Sequence, residues 1–246
     1  MIKAGFIQKQ VQKSRRERRT TQFLRRFVFS VVDQALHEHY DKDYPEKCLQ
    51  SSAAIQSVLS KLGIESKLWT GAACLAQAYK TAPERTGWGG FWGRDHHVWL
   101  VTEFMELVDL TISELHLHPA SSRRDAEPIP PLWWDEIAEW PRTIRYLPEA
   151  PVAPVFQFEE REDTEDMERF KALVLTTIEH YLAERTVEDV AFGPMLEGER
   201  SMNSLHDQGH PYVVKTFIVQ QLNIPFPPWV QRRMGEIDRR YRRTQL

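Results

Sequence analysis

Between Cys48 and Gly63 the small or apolar residues Ser52, Ile55, Leu59 and Leu62 recur at spacings of three and four, which requires a helix with one buried face. The lead-in Asp43-Tyr44-Pro45-Glu46-Lys47, with its proline and acidic residues, suits a loop entering that helix. Gly63 suits the C-terminal cap. Ile64 through Thr70 then reads as a strand, and so do His97-Val98-Trp99-Leu100-Val101 and Val108-Asp109-Leu110-Thr111. The expected fold is therefore α+β, a helix packed on an antiparallel sheet. Cys48 falls in the first helical turn, where unpaired N–H groups and the positive end of the dipole favour a thiolate.

In chain order these elements carry a thiol, an imidazole and a carboxylate: a nucleophile, a base and a group to orient the base. His97 and Asp109 are an even number of residues apart, so a loop of odd length places both on one face of a hairpin. A three-residue loop at Thr102-Glu103-Phe104 would set the two directly opposite. Trp99, Val101, Met105 and Leu107 would share their face, and His96 would point away.

A Cys-initiated helix ending in Gly63-Ile64, then His97-Val98-Trp99, then Val108-Asp109-Leu110-Thr111, resembles the transglutaminase-like superfamily of papain-type cysteine enzymes. The resemblance spans roughly residues 45–112. It implies a papain/transglutaminase-like core, a catalytic triad of Cys48, His97 and Asp109, and acyl transfer or hydrolysis on an amide through a thioester. It supplies no position for the family's usual second oxyanion donor, a Gln or Trp side chain. A protein or peptide substrate is expected, and no cofactor or metal. Transamidation, deamidation, proteolysis and acetyl transfer share this machinery, and the triad does not choose among them. A different class of answer is a non-catalytic scaffold of the same fold that binds a protein partner.

The glycine-rich segment 86–95 runs directly into His97 and carries Trp88, Phe91 and Trp92. It reads either as a mobile flap whose Trp88 and Trp92, with Trp99, contact substrate, or as a glycine-bent loop pinned by aromatic packing. Pairs such as His116/His118 and His206/His210 offer weak metal-ligand spacing, with neither HExxH nor Cys-x-x-Cys present. Cys74, in the apolar run Ala72-Ala73-Cys74-Leu75-Ala76, reads as an inert core thiol.

At 246 residues, 41% hydrophobic and 27% charged, the chain has the make-up of a soluble globular protein. Its net charge of −3 provides no general attraction to nucleic acid. Neither a signal peptide nor a segment long enough to span a membrane is apparent. Two cysteines make no disulfide framework, and a catalytic thiol needs a reducing compartment, so a cytoplasmic location is expected; an effector exported without a cleavable signal would look the same.

Three regions follow from the punctuation. Residues 1–20 form a basic N-terminal arm, expected as a mobile or solvated helical extension. Residues 21–150 hold the core, beginning with an amphipathic helix from Thr21 to about Tyr40. Residues 151–246 form a mostly helical region packed on the core, with helices expected over 164–185, 212–222 and 228–241. Within the core a break or bulge is expected at Gly71, a short helix from Leu132 to Trp140, and a strand from Thr143 to Leu147. Oligomeric state is not legible.

Overall fold

The computed structural model describes the whole chain except Pro83, residues 92–96, 119–124, 136–139, 154–159 and 245–246, and the side chains of 238–244. The architecture is α+β. Helices α1 (Ala4–Glu17), α2 (Gln22–Tyr40) and α3 (Cys48–Lys61) precede strands β1 (Ser66–Ala78), β2 (Thr86–Phe91), β3 (His97–Thr102), β4 (Leu107–Asp109), β5 (Leu132–Trp134) and β6 (Ile144–Pro151). Four further helices end the chain: α4 (Arg161–Glu184), α5 (Glu199–Asp207), α6 (Pro211–Gln221) and α7 (Pro228–Thr244).

All strand pairs are antiparallel and β1 is their hub. It pairs with β3 through its first half and with β2 through its second, while β6 lies along its other edge. Strands β2 and β3 therefore run end to end beside β1, and β4 and β5 extend the sheet outward from β3. The irregularity expected at Gly71 is a bulge between Thr70 and Gly71 in the β1–β6 ladder. Gly71 is needed there: a Cβ would stand 2.3 Å from the Leu147 carbonyl oxygen and 3.0 Å from the Trp99 ring.

One sheet face presents Leu68, Leu100, Val108 and Trp133 to a core built from α2, α3 and α4. The other presents Leu75, Trp99, Leu107, Trp134 and Tyr146 to Met202 and Leu205 of α5 and to Tyr212 and Val213 of α6. Helix α7 closes over Cys74 and Leu147 through Val230. The three Trp residues 99, 133 and 134 are almost wholly buried.

Several expectations need correction. The segment at Leu132–Trp134 is strand, because it completes the sheet beside β4; residues 136–139 of the expected helix lie outside the described residues. The strand expected over Thr143–Leu147 runs on to Pro151 as β6. The N-terminal arm is helical as expected, but helix α1 docks instead of standing solvated: Phe6, Ile7 and Val11 pack on the helical core, and Phe6 meets Phe23 edge-on at 4.9 Å. Helix α5 was not anticipated. The segment 86–91 is an ordered strand. Its glycines serve close strand approach, since a Cβ on Gly90 (φ 133°) would lie 2.1 Å from the Ala73 carbonyl oxygen.

Helix α4 buries Met167, Phe170, Val174, Ile178 and Tyr181 in the same cluster as Leu24, Phe27 and Ile55. At about 1.5–3 kcal/mol for each buried apolar side chain, exposing all five costs about 8–15 kcal/mol, comparable with the whole stability of a domain. A chain shortened to residues 1–153 should therefore be insoluble or unfolded by circular dichroism. A stable monomeric truncation would contradict this packing.

Candidate active site

Helix α3 begins abruptly. A 3-10 turn over Asp41–Glu46 delivers Lys47, whose side chain makes no cap, so no N-cap side chain takes the first-turn N–H groups at Cys48. The helix ends as expected, with Gly63 at φ 73° and Ile64 N–H donating to the Leu59 carbonyl. One turn past Cys48, the Ser52 hydroxyl donates to the Val98 carbonyl (3.1 Å), which ties the start of α3 to the strand residue next to His97. Cys48 is half-buried and unbridged. Cys74 is fully buried, and burial pushes its thiol up to about 12, as fits an inert core sulfur.

The β3–β4 turn has three residues but lies one position later than expected. Thr102 pairs with Glu106 around Glu103-Phe104-Met105, and Met105 takes the left-handed conformation at φ 61°. Val101 faces Leu107, so Asp109 stands opposite Trp99 and diagonal to His97. The shift of register by two keeps both side chains on one face and within reach. His97 Nε2 and Asp109 Oδ2 are 2.5 Å apart, with both side chains 1% exposed. Met105, expected on that face, is instead an exposed turn residue.

Asp109 is saturated with donors. Its Oδ2 also accepts from the Tyr146 hydroxyl (2.6 Å), and its Oδ1 accepts from the Thr111 hydroxyl and the Ile112 N–H (3.2 Å each). His97 is stacked on Phe91, with ring centroids 4.5 Å apart and planes 5° from parallel. Its Nδ1 has no aligned hydrogen bond, yet Cys48 stands close enough to act on the ring by charge and as a hydrogen-bonding neighbour. Burial alone would lower the His97 pKa; the Asp109 carboxylate overrides it, Cys48 adds to the effect, and the imidazole is raised to about 10. The structure thus brings Cys48, His97 and Asp109 together.

Because the folded value lies above the ordinary 6.5, the protonated ring stabilises the fold. That contribution is complete below about pH 6.5 and disappears as pH rises toward 10. Wild type should exceed His97→Gln in unfolding free energy by a few kcal/mol below pH 6.5, each pKa unit being worth about 1.4 kcal/mol, and the gap should close by pH 10. Urea titrations across this range measure it. A gap independent of pH would contradict a buried imidazolium.

A cavity of about 740 Å³ lies on the same sheet face, walled by Trp69, Trp99, Trp140, Tyr146, Leu147 and Ile237. Cys48 and His97 do not line it. It meets the pair through Trp99 and Tyr146, whose rings are each 6.3 Å from that of His97. Of the aromatic residues expected to contact substrate, Trp99 forms this wall and is 1% exposed. Trp88 is placed elsewhere: it packs on Phe226 at 4.7 Å, just before α7, and belongs to the cluster of Cys74, Leu147 and Val230. Trp92 lies outside the described residues.

Sequence reasoning did not find Tyr146 or the stacking role of Phe91. Thr111 is the signal nearest to hand, since a hydroxyl two residues after an aspartate is locally placed for such a bond. Tyr146 left no comparable signal, because only the β1–β6 pairing carries it to Asp109. Among the described residues no group of three or more His, Cys, Asp or Glu could hold a metal ion, and no helix is long and apolar enough to cross a membrane. Compared with protein-family models, curated proteins and solved structures, the chain matched none.

Proposed function

We propose that this protein is a transglutaminase-like cysteine enzyme with a papain-type core, acting by acyl transfer or hydrolysis on an amide of a protein or peptide. The observation that carries the reading is the His97 ring, fixed through Nε2 by a donor-saturated Asp109 and adjoined by a half-buried thiol at an uncapped helix start. An imidazolium beside a thiol favours the thiolate. Cys48 Sγ attacks the amide carbonyl, forming a C–S bond, and the Cys48 backbone N–H supports the developing oxyanion. The C–N bond breaks as His97 gives its proton to the leaving amine. His97, now neutral, removes a proton from water or an acceptor amine, which displaces the thiol, while Asp109 holds the ring in place throughout. The free thiol fits a reducing compartment such as the cytoplasm.

The test is incubation of wild type and Cys48→Ala with a cell extract, followed by acid quench and peptide mass spectrometry. The expected result is an acyl mass on Cys48 that hydroxylamine removes; its composition names the substrate. Absence of any adduct on wild-type Cys48 favours a binding scaffold of the same fold.

A further inference from the structure

We propose that Tyr146 is a positioning residue of this site: its hydroxyl shares Asp109 Oδ2 with His97 and so sets how firmly the carboxylate holds the imidazole proton. The proposal rests on the catalytic reading of His97 and Asp109, but its test reads the imidazole directly and does not depend on turnover.

Two donors meet on one carboxylate oxygen, His97 Nε2 at 2.5 Å and the Tyr146 hydroxyl at 2.6 Å. The other oxygen is already engaged by Thr111 and the Ile112 N–H. The carboxylate can therefore give to Tyr146 only by giving less to His97. The phenol is held in this competition by its ring, which meets Trp99 edge-on at 5.0 Å and stacks with Trp140 at 5.8 Å. It is 4% exposed, and the Asp109 side chain 1%. Burial, with Asp109 beside it, raises the Tyr146 pKa well above the ordinary phenol range, so the hydroxyl remains a donor across the working pH.

The chemical need is specific. A buried imidazolium facing an undivided carboxylate keeps its proton, whereas the proposed cycle requires His97 to release and recover one. A second strong donor draws charge from the shared oxygen and eases that release. A purely structural tyrosine could bond to any carbonyl; this one bonds to the atom that carries the His97 interaction. Among the described residues, the other titratable groups that act on the pair or on Tyr146 are Cys48 from α3, which acts on His97, Tyr44 from the 3-10 turn, which feels Asp109, and Tyr212 from α6, which feels Tyr146. Tyr212 donates to the Ala76 carbonyl and does not compete for Asp109. Phe91 and Trp99 bring no charge.

The experiment is proton and nitrogen NMR of histidine-labelled full-length protein, with the His97 ring resonances assigned by their loss in His97→Gln. In Tyr146→Phe the low-field ring N–H of His97 should move further downfield. Its titration midpoint should rise by up to about one unit, the equivalent of one hydrogen bond. If that variant does not fold, 3-fluorotyrosine at position 146, a stronger donor of nearly the same shape, should produce the opposite shifts. A His97 resonance and midpoint unchanged by either replacement would overturn the proposal. Failure of Cys48 to form acyl adducts would instead strike the catalytic reading and leave these shifts standing.

Discussion

Substituting His97 by Gln should slow alkylation of Cys48 by iodoacetamide about a hundredfold at pH 6. An unassisted thiol ionises near pH 8.5, so only about one molecule in 300 is thiolate at pH 6. Reactive thiols in general draw on an adjacent cation or base, and here Asp109 keeps the His97 ring beside the thiol protonated to about pH 10. The weaker nucleophilicity of a stabilised thiolate trims the advantage, which leaves roughly two orders of magnitude. The two rates should converge above about pH 9, where unassisted thiols ionise unaided. Asp109→Asn should act in the same direction, because the carboxylate is what raises the imidazole. Equal rates for wild type and His97→Gln across the range would mean that the thiol and the ring do not cooperate.

Among single substitutions, the largest loss of stability should come at Glu106, three residues before Asp109 and 1% exposed. Its Oε1 accepts from Arg25 Nη2 (2.7 Å) and the Thr20 N–H (2.8 Å). Its Oε2 accepts from the hydroxyls of Thr20 (2.5 Å) and Thr102 (3.0 Å) and from Trp133 Nε1 (3.2 Å). Arg25 is equally buried and also meets Asp135 (2.9 Å) and Glu197 (3.2 Å). Glu106→Ala strands several donors and leaves a buried guanidinium without its closest partner, so it should cost about 3–5 kcal/mol in denaturant unfolding. Replacing both ends, as Arg25→Met with Glu106→Leu, should cost less than the sum of the two single changes, because neither member of the pair is left without the other and Asp135 keeps its ion pair with Arg19. A loss below about 1 kcal/mol for Glu106→Ala would show that water reaches this network.

How much of this was visible in the chain depended on the range of the forces involved. Helix α3 was legible from Cys48 to Gly63 because its periodicity and glycine cap are local. The common face of His97 and Asp109 was legible because strand parity survives a register change of two, although the turn itself moved by one residue. Trp133 and Trp134 were misread as helical, since two adjacent large aromatics feed both faces of a strand as readily as one side of a helix. The glycines at 87, 89 and 90 looked like pliability and are instead the price of close packing against β1. Two features lay beyond sequence pattern altogether. Tyr146 reaches Asp109 only because β6 pairs with β1, and Arg25 of α2 meets Glu106, 81 residues further along the chain, only through the tertiary fold.

The central claim is that Cys48 is acylated and then deacylated through His97. The most direct measurement is pre-steady-state hydrolysis of p-nitrophenyl acetate, which needs no knowledge of the natural substrate. Wild type should release a burst of about one nitrophenolate per chain, followed by a slower phase as the thioester breaks down. His97→Gln should slow both phases, and Cys48→Ala should show no burst. A primary amine that accelerates the slow phase would mark transfer, and a phase indifferent to it would mark hydrolysis. Absence of a burst from the wild-type protein, or an equal burst from Cys48→Ala, would contradict the account.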